Sequence, residues 1–188
     1  TLVGLSKLGE LGVTGLVGGE NNGTGQLNLT VTETCAIAMS GADINFGTGT
    51  VNGSECILNT SAGTKSSGCS SGINAVTTGL NFTNTGNENI TLNLTSNNTA
   101  TAFLGDGASF KINANIVGSH TSACNSGNFA LADWQDIGTS RYSVCNSTNQ
   151  LEADNSKDTI EIDVYLSIPD DTGGAGGVVE LTMIGICE

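Results

Sequence analysis

Three sets of side chains in this 188-residue chain could do chemistry: six cysteines, a series of Asn-x-Ser/Thr tripeptides and a single histidine. The cysteines stand at positions 35, 56, 69, 124, 145 and 187, and none has the close Cys-x-x-Cys spacing that zinc or redox chemistry uses. They therefore read as disulfide partners and not as metal ligands. Six cysteines allow 15 pairings and the sequence alone does not fix one, but loop closure favours neighbours, Cys56 with Cys69 and Cys124 with Cys145. That leaves Cys35 to meet Cys187, an early strand to the last one.

The tripeptides begin at Asn22, Asn28, Asn52, Asn59, Asn81, Asn89, Asn93, Asn97 and Asn146. The motif is weak in a chain this rich in Asn and Thr, so placement carries the argument. In residues 88–95 the side chains of Ile90, Leu92 and Leu94 share one face of an extended segment, which puts Asn89 and Asn93 together on the other. The same parity separates Asn28 from Leu27 and Leu29, and Asn81 from Leu80 and Phe82. N-linked glycans at these positions would point to solvent, and the cysteines imply the secreted context in which they are added.

Catalysis has little to work with. His120 is the sole histidine, has no G-x-S-x-G elbow beside it and no recognisable third member, and reads as a loop residue. Residues 154–158 place Asp154, Ser156 and Asp158 at alternate positions, yet lack the central Gly and bidentate Glu of a calcium loop. The run Gly173-Gly-Ala-Gly-Gly177 lacks the Lys-Ser/Thr ending of a phosphate cradle and has acidic neighbours. The expectation is a protein that is not an enzyme, with no catalytic residue, no metal and no cofactor.

The elements that must position these residues are strands. The chain has 27 Gly against one Pro, with β-formers alternating with turn-formers throughout, which supports helix poorly. Leu27, Leu29 and Val31 alternate with polar residues, and the same parity runs through Cys35, Ile37 and Met39, with a break at Glu33. Further strands are expected at 76–82, at 90–94, and at Phe110, Ile112, Ala114 and Ile116. The clearest is 159–168, where Ile160, Ile162, Val164, Leu166 and Ile168 face in and Glu161, Asp163, Tyr165 and Ser167 face out. In the last strand, 178–187, Met183, Ile184 and Ile186 are apolar on both faces and predict cover on both sides. Gly-, Asn- and Ser-rich turns separate the strands, as in an antiparallel β-sandwich or jelly roll. Residues 119–158 alternate less and read as a decorated excursion closed by one disulfide.

Eighteen acidic residues against five basic ones give a formal net charge of −13, which repels phosphate backbones and anionic lipid. Nucleic acid is excluded as a partner. No apolar run is long enough to span a bilayer and no signal peptide is present, so the chain reads as a mature secreted product, extracellular or at the cell surface.

Residues 1–19 form a unit of their own, followed by the turn signal at 20–25. Six glycines, each costing about 0.5–1 kcal/mol relative to Ala, argue against a helix. As an extended ribbon the segment places Val3, Leu5, Leu11, Val13 and Val17 on one side, with Gly9 and Gly15 in the same row. Such a ribbon needs a partner: its own domain, or a groove in another copy filled by strand addition. Glycines in a strand mark close approach of another backbone, which favours the second, and that contact propagates into an open fibre. The domain reading is an arm and linker over 1–24 and a single sandwich over 25–188.

With this arm, the Cys35 strand followed by Ala42-Asp-Ile-Asn-Phe-Gly47, the stretch Leu80-Asn-Phe-Thr-Asn-Thr-Gly-Asn87 and the closing Val164-Tyr-Leu-Ser-Ile-Pro169, the chain resembles secreted archaeal β-sandwich pilins. It is most similar to the archaeal bundling pili, relatives of the TasA biofilm-fibre family. The resemblance implies a jelly-roll subunit whose N-terminal strand completes the sheet of the next subunit, a homopolymer that serves adhesion and biofilm. The rival reading is a monomeric cell-surface or cell-wall Ig-like adhesive module in which residues 1–19 fold back at home. Type IV pilins fit worse, because their long uninterrupted apolar helix is missing.

Overall fold

The computed structural model describes residues 29–30, 32–120, 123–124, 133–153, 156–171 and 177–187. The chain divides into two units, Thr1–Glu33 and Thr34–Glu188. The expected first strand around Leu27 and Val31 lies mostly outside the described residues.

The second unit is all-β and antiparallel apart from one short helix. Its strands are β1 (Ile37–Ser40), β2 (Cys56–Asn59), β3 (Thr64–Lys65), β4 (Leu80–Asn84), β5 (Ile90–Ser96), β6 (Ser109–Ile116), β7 (Gln135–Asp136), β8 (Tyr142–Cys145), β9 (Thr159–Ile168) and β10 (Leu181–Cys187), with helix α1 at Ala100–Leu104. Strand β9 organises the larger sheet. Along one side it pairs first with β4, through Leu80 opposite Ile162, and then with β2, through Leu58 opposite Leu166. Along the other it takes all of β6, from Ser109 opposite Ser167 to Ile116 opposite Ile160. Strand β1 lies outside β4, β3 outside β2 and β7 outside β6. The smaller sheet has three strands in the order β10-β5-β8.

Period-two alternation explains why these segments are strands and how they stack. Ile160, Ile162, Val164 and Leu166 of β9, Phe110, Ile112 and Ala114 of β6, and Ile90, Leu92 and Leu94 of β5 all belong to one buried cluster between the sheets. Each fully buried side chain of this size stabilises the fold by about 1.5–3 kcal/mol relative to exposure. Helix α1 is capped by Thr99, whose hydroxyl accepts from the Ala102 amide, and ends at Gly105, whose φ of 96° is a conformation that L side chains rarely adopt.

Three expectations need correction. The outward row of β9 is not wet: Asp163 is 3% and Ser167 5% exposed. Thr60 at the end of β2 donates to Asp163 Oδ1 at 2.6 Å, Asn115 Nδ2 donates to Asp163 Oδ2 at 2.5 Å, and Trp134 packs on Tyr165 with ring centroids 5.7 Å apart. Neighbouring side chains of the same sheet and the Trp134 ring thus screen this face, its buried carboxylate satisfied by neutral donors. Second, residues 119–158 are not merely an excursion. They supply β7 and β8, and Val144, Cys145 and Leu151 are core residues. Third, the end of β10 is not covered on both sides, since Ile186 is 42% exposed and Met183 and Ile184 are only partly buried.

Candidate functional site

The three disulfides join Cys35 to Cys187, Cys56 to Cys69 and Cys124 to Cys145. Cys56–Cys69 folds residues 66–73 against β2, and Lys65 Nζ secures that loop by donating to the carbonyls of Ser70, at 3.1 Å, and Ile73, at 2.6 Å. Cys35–Cys187 spans 152 residues of sequence and ties the approach to β1 in one sheet to the end of β10 in the other. Residues 34–36 continue the β1–β4 ladder: the Asn87 amide donates to Thr34 O and the Thr85 amide to Ala36 O, both at 3.1 Å.

That bridge sits on the side of the sandwich where β1 and β10 both end their sheets. Next to it, a Cβ placed on Gly185 would lie 3.2 Å from Ile37 Cδ1 and 3.3 Å from Ile90 Cδ1, so the absence of a side chain there lets β10 press against β1 and β5. Cys35 with Cys187 and Ile37 with Gly185 step by two along each strand. Met39 and Met183 are the next inward residues in the two rows. Met39 lies opposite the buried Phe82, and Met183 opposite the buried Leu94, so both belong to the core side of their sheets. Yet Met39 is 50% exposed, and Met183 and Leu181 are only partly covered. The core is open along this seam.

The seam runs beside an unusual edge. Of the described edge strands, β3 and β7 have two residues each and β1 and β8 four, whereas β10 has seven, pairs only with β5 and reads Leu-Thr-Met-Ile-Gly-Ile-Cys without a charge or a proline. Short strands, charges and prolines are the devices by which sheets protect their edges, and β10 uses none of them. Among the described residues its outer side has no partner strand over about 23 Å, at some 3.3 Å per residue. An extended chain bound there would make a four-stranded sheet. The apolar character of β10 is legible in the sequence, whereas the exposure of Met39 on the core side of β1 is not, because it depends on sheet stacking.

The sequence-derived candidates fall as follows. Val3, Leu5, Leu11, Val13 and Val17, and the asparagines Asn22 and Asn28, lie outside the described residues. Asn52, Asn89, Asn97 and Asn146 are exposed, whereas Asn59, Asn81 and Asn93 are half-buried within β2, β4 and β5. His120 lies in a loop, its Nδ1 3.1 Å from Asp158 Oδ1 but without hydrogen-bond geometry to it, and Asp158 takes the Thr159 hydroxyl at 3.0 Å. No group of three or more His, Cys, Asp or Glu side chains arranged for a metal ion occurs among the described residues. No described helix is long and apolar enough to cross a membrane. No family model, curated protein or solved structure matches the chain.

Proposed function

We propose that the chain is the structural subunit of an extracellular, pilus-like filament, polymerised by seating residues 1–19 of one copy beside β10 of the next. The observation that carries this reading is the uncharged seven-residue edge of β10 flanked by core-side residues left open, with Met39 at 50% exposure. The incoming row Val3, Leu5, Leu11, Val13 and Val17 has the period of a strand and the chemistry of the seam, and Gly9 and Gly15 within it let the backbone pass close to Met39 and Met183. Three disulfides suit an oxidising compartment. The likeness to archaeal bundling pilins and TasA fibres agrees with this mode of assembly, in which the partner is another copy of the same chain.

Electron microscopy and size-exclusion chromatography of the full chain, compared with a chain that begins at Gly19, test the reading. Fibres are expected from the first and folded monomers from the second. If the full chain is monomeric and loses stability on truncation, the segment completes its own sheet and the protein is a monomeric surface module.

A further inference from the structure

Among the seven described Asn-x-Ser/Thr tripeptides, the side-chain geometry sorts the asparagines into distinct groups. Asn52, Asn89, Asn97 and Asn146 are exposed, and each is held through Oδ1 alone in the hydrogen bonds that fix it. Asn52 Oδ1 accepts from the Thr50 hydroxyl at 3.1 Å, Asn89 Oδ1 from the Ala153 amide at 3.0 Å, and Asn97 Oδ1 from the Glu180 amide at 3.0 Å. Asn146 Oδ1 accepts from the amides of Thr148, at 3.0 Å, and Asn149, at 2.9 Å, closing a turn within its own tripeptide. In these bonds the carbonyl end of the carboxamide is tied to the protein. Nδ2, the atom that a glycan replaces a hydrogen on, takes no part in them.

Asn81 is the reverse case. It lies inside β4 between β1 and β9, opposite Ser40 on one side and Glu161 on the other. Its Oδ1 is buried without a hydrogen-bond partner among the described residues, so nothing ties the carbonyl end as it is tied in the other four. The side chain is half-buried in the middle of the larger sheet, and a sugar on Nδ2 would have to leave past Ser40 and Glu161 on the strands either side. Asn59 and Asn93, half-buried within strands, belong to neither group.

We infer that Asn52, Asn89, Asn97 and Asn146 carry N-linked glycans and that Asn81 does not. The step is formation of an N-glycosidic bond: Nδ2 loses a proton and attacks the anomeric carbon of a lipid-diphosphate-linked oligosaccharide, and the lipid diphosphate departs. The four positions also leave the seam free. Asn97 is bonded to Glu180, just before β10 begins, and Asn89 precedes Ile90, the partner of Cys187 at its far end. Sugars there flank the open edge of β10 without standing on it, and the inference holds whether or not the subunits polymerise.

Glycopeptide mass spectrometry tests it on the full chain secreted from a host with an N-oligosaccharyltransferase, beside a control glycoprotein from the same cells. Modified peptides are expected at all four positions, with the Asn81 peptide bare. Thr148→Ala should lower the intact mass by one glycan without unfolding the chain, because the turn at Asn146 uses the backbone amide of residue 148. Thr83→Ala should lower it by no glycan. A modified Asn81, or bare peptides at two or more of the four while the control is modified, overturns the inference.

Discussion

Replacing Met39 by aspartate separates folding from assembly. The residue is 50% exposed in the subunit, so a carboxylate there keeps access to water and the sandwich loses only part of one side-chain burial. Full burial of a methionine is worth about 1.5–3 kcal/mol, so covering the remaining half by an incoming strand contributes roughly 1 kcal/mol to assembly. The aspartate forfeits that, and beneath a docked strand it becomes an unpaired buried charge whose effective penalty is several kcal/mol. The sum is at least about 3 kcal/mol, which at 1.4 kcal/mol per decade raises the critical concentration for polymerisation by about 100-fold or more. Met39→Ala removes only the apolar gain and should raise it about fivefold. Both are read by sedimenting polymer at graded subunit concentrations, with circular dichroism melts confirming the fold. If Met39→Asp polymerises within about threefold of the wild-type concentration, the seam is not the docking groove.

Other perturbations test the subunit and its partner strand. Val13→Asp, on the proposed incoming row, should abolish fibres and leave the melting temperature of the sandwich unchanged. Gly185→Val would push a side chain into Ile37 and Ile90 and should destabilise the monomer by about 1–3 kcal/mol in urea titration. Asp163→Ala leaves the Thr60 hydroxyl and the Asn115 amide without their shared acceptor and should cost about 1–3 kcal/mol in the same assay. Removing Cys35–Cys187 by a double Cys→Ser change frees a span of 152 residues and should cost about 3–5 kcal/mol.

The parts of this fold legible in the sequence are those where one periodicity governs a whole element. Strand β9 occupies residues 159–168, as its alternation predicts, because five consecutive odd-even steps put an aliphatic side chain on the core face. Strands β5 and β6 follow for the same reason. Strand β2 was not foreseen, since four residues carry too little alternation to stand out, and β8 was hidden within a stretch of weak pattern. The covered outer face of β9 was misread because Glu161, Asp163 and Ser167 are polar. Asp163 takes Thr60 and Asn115, Ser167 donates to Glu55 and Glu161 accepts from the Gly79 amide, all distant in sequence, and polarity reports on chemistry, not on what surrounds it. The seam was half legible: the apolar β10 is local, whereas the exposure of Met39 depends on how the two sheets stack.

If the subunits polymerise as proposed, the bridge between Cys35 and Cys187 would give the row a mechanical character. Tension applied along a fibre would enter each subunit through the segment before Thr34 and meet a covalent bond one residue later. From Cys35 the load passes through sulfur to Cys187 and so to the strand proposed to grip the next subunit, bypassing the hydrophobic core. The sandwich then hangs beside the load path and need not resist it. Pulling should part neighbouring subunits by shear along β10 before any domain unravels, and reduction of this one bond would turn a stiff thread into one that lengthens as its domains unfold.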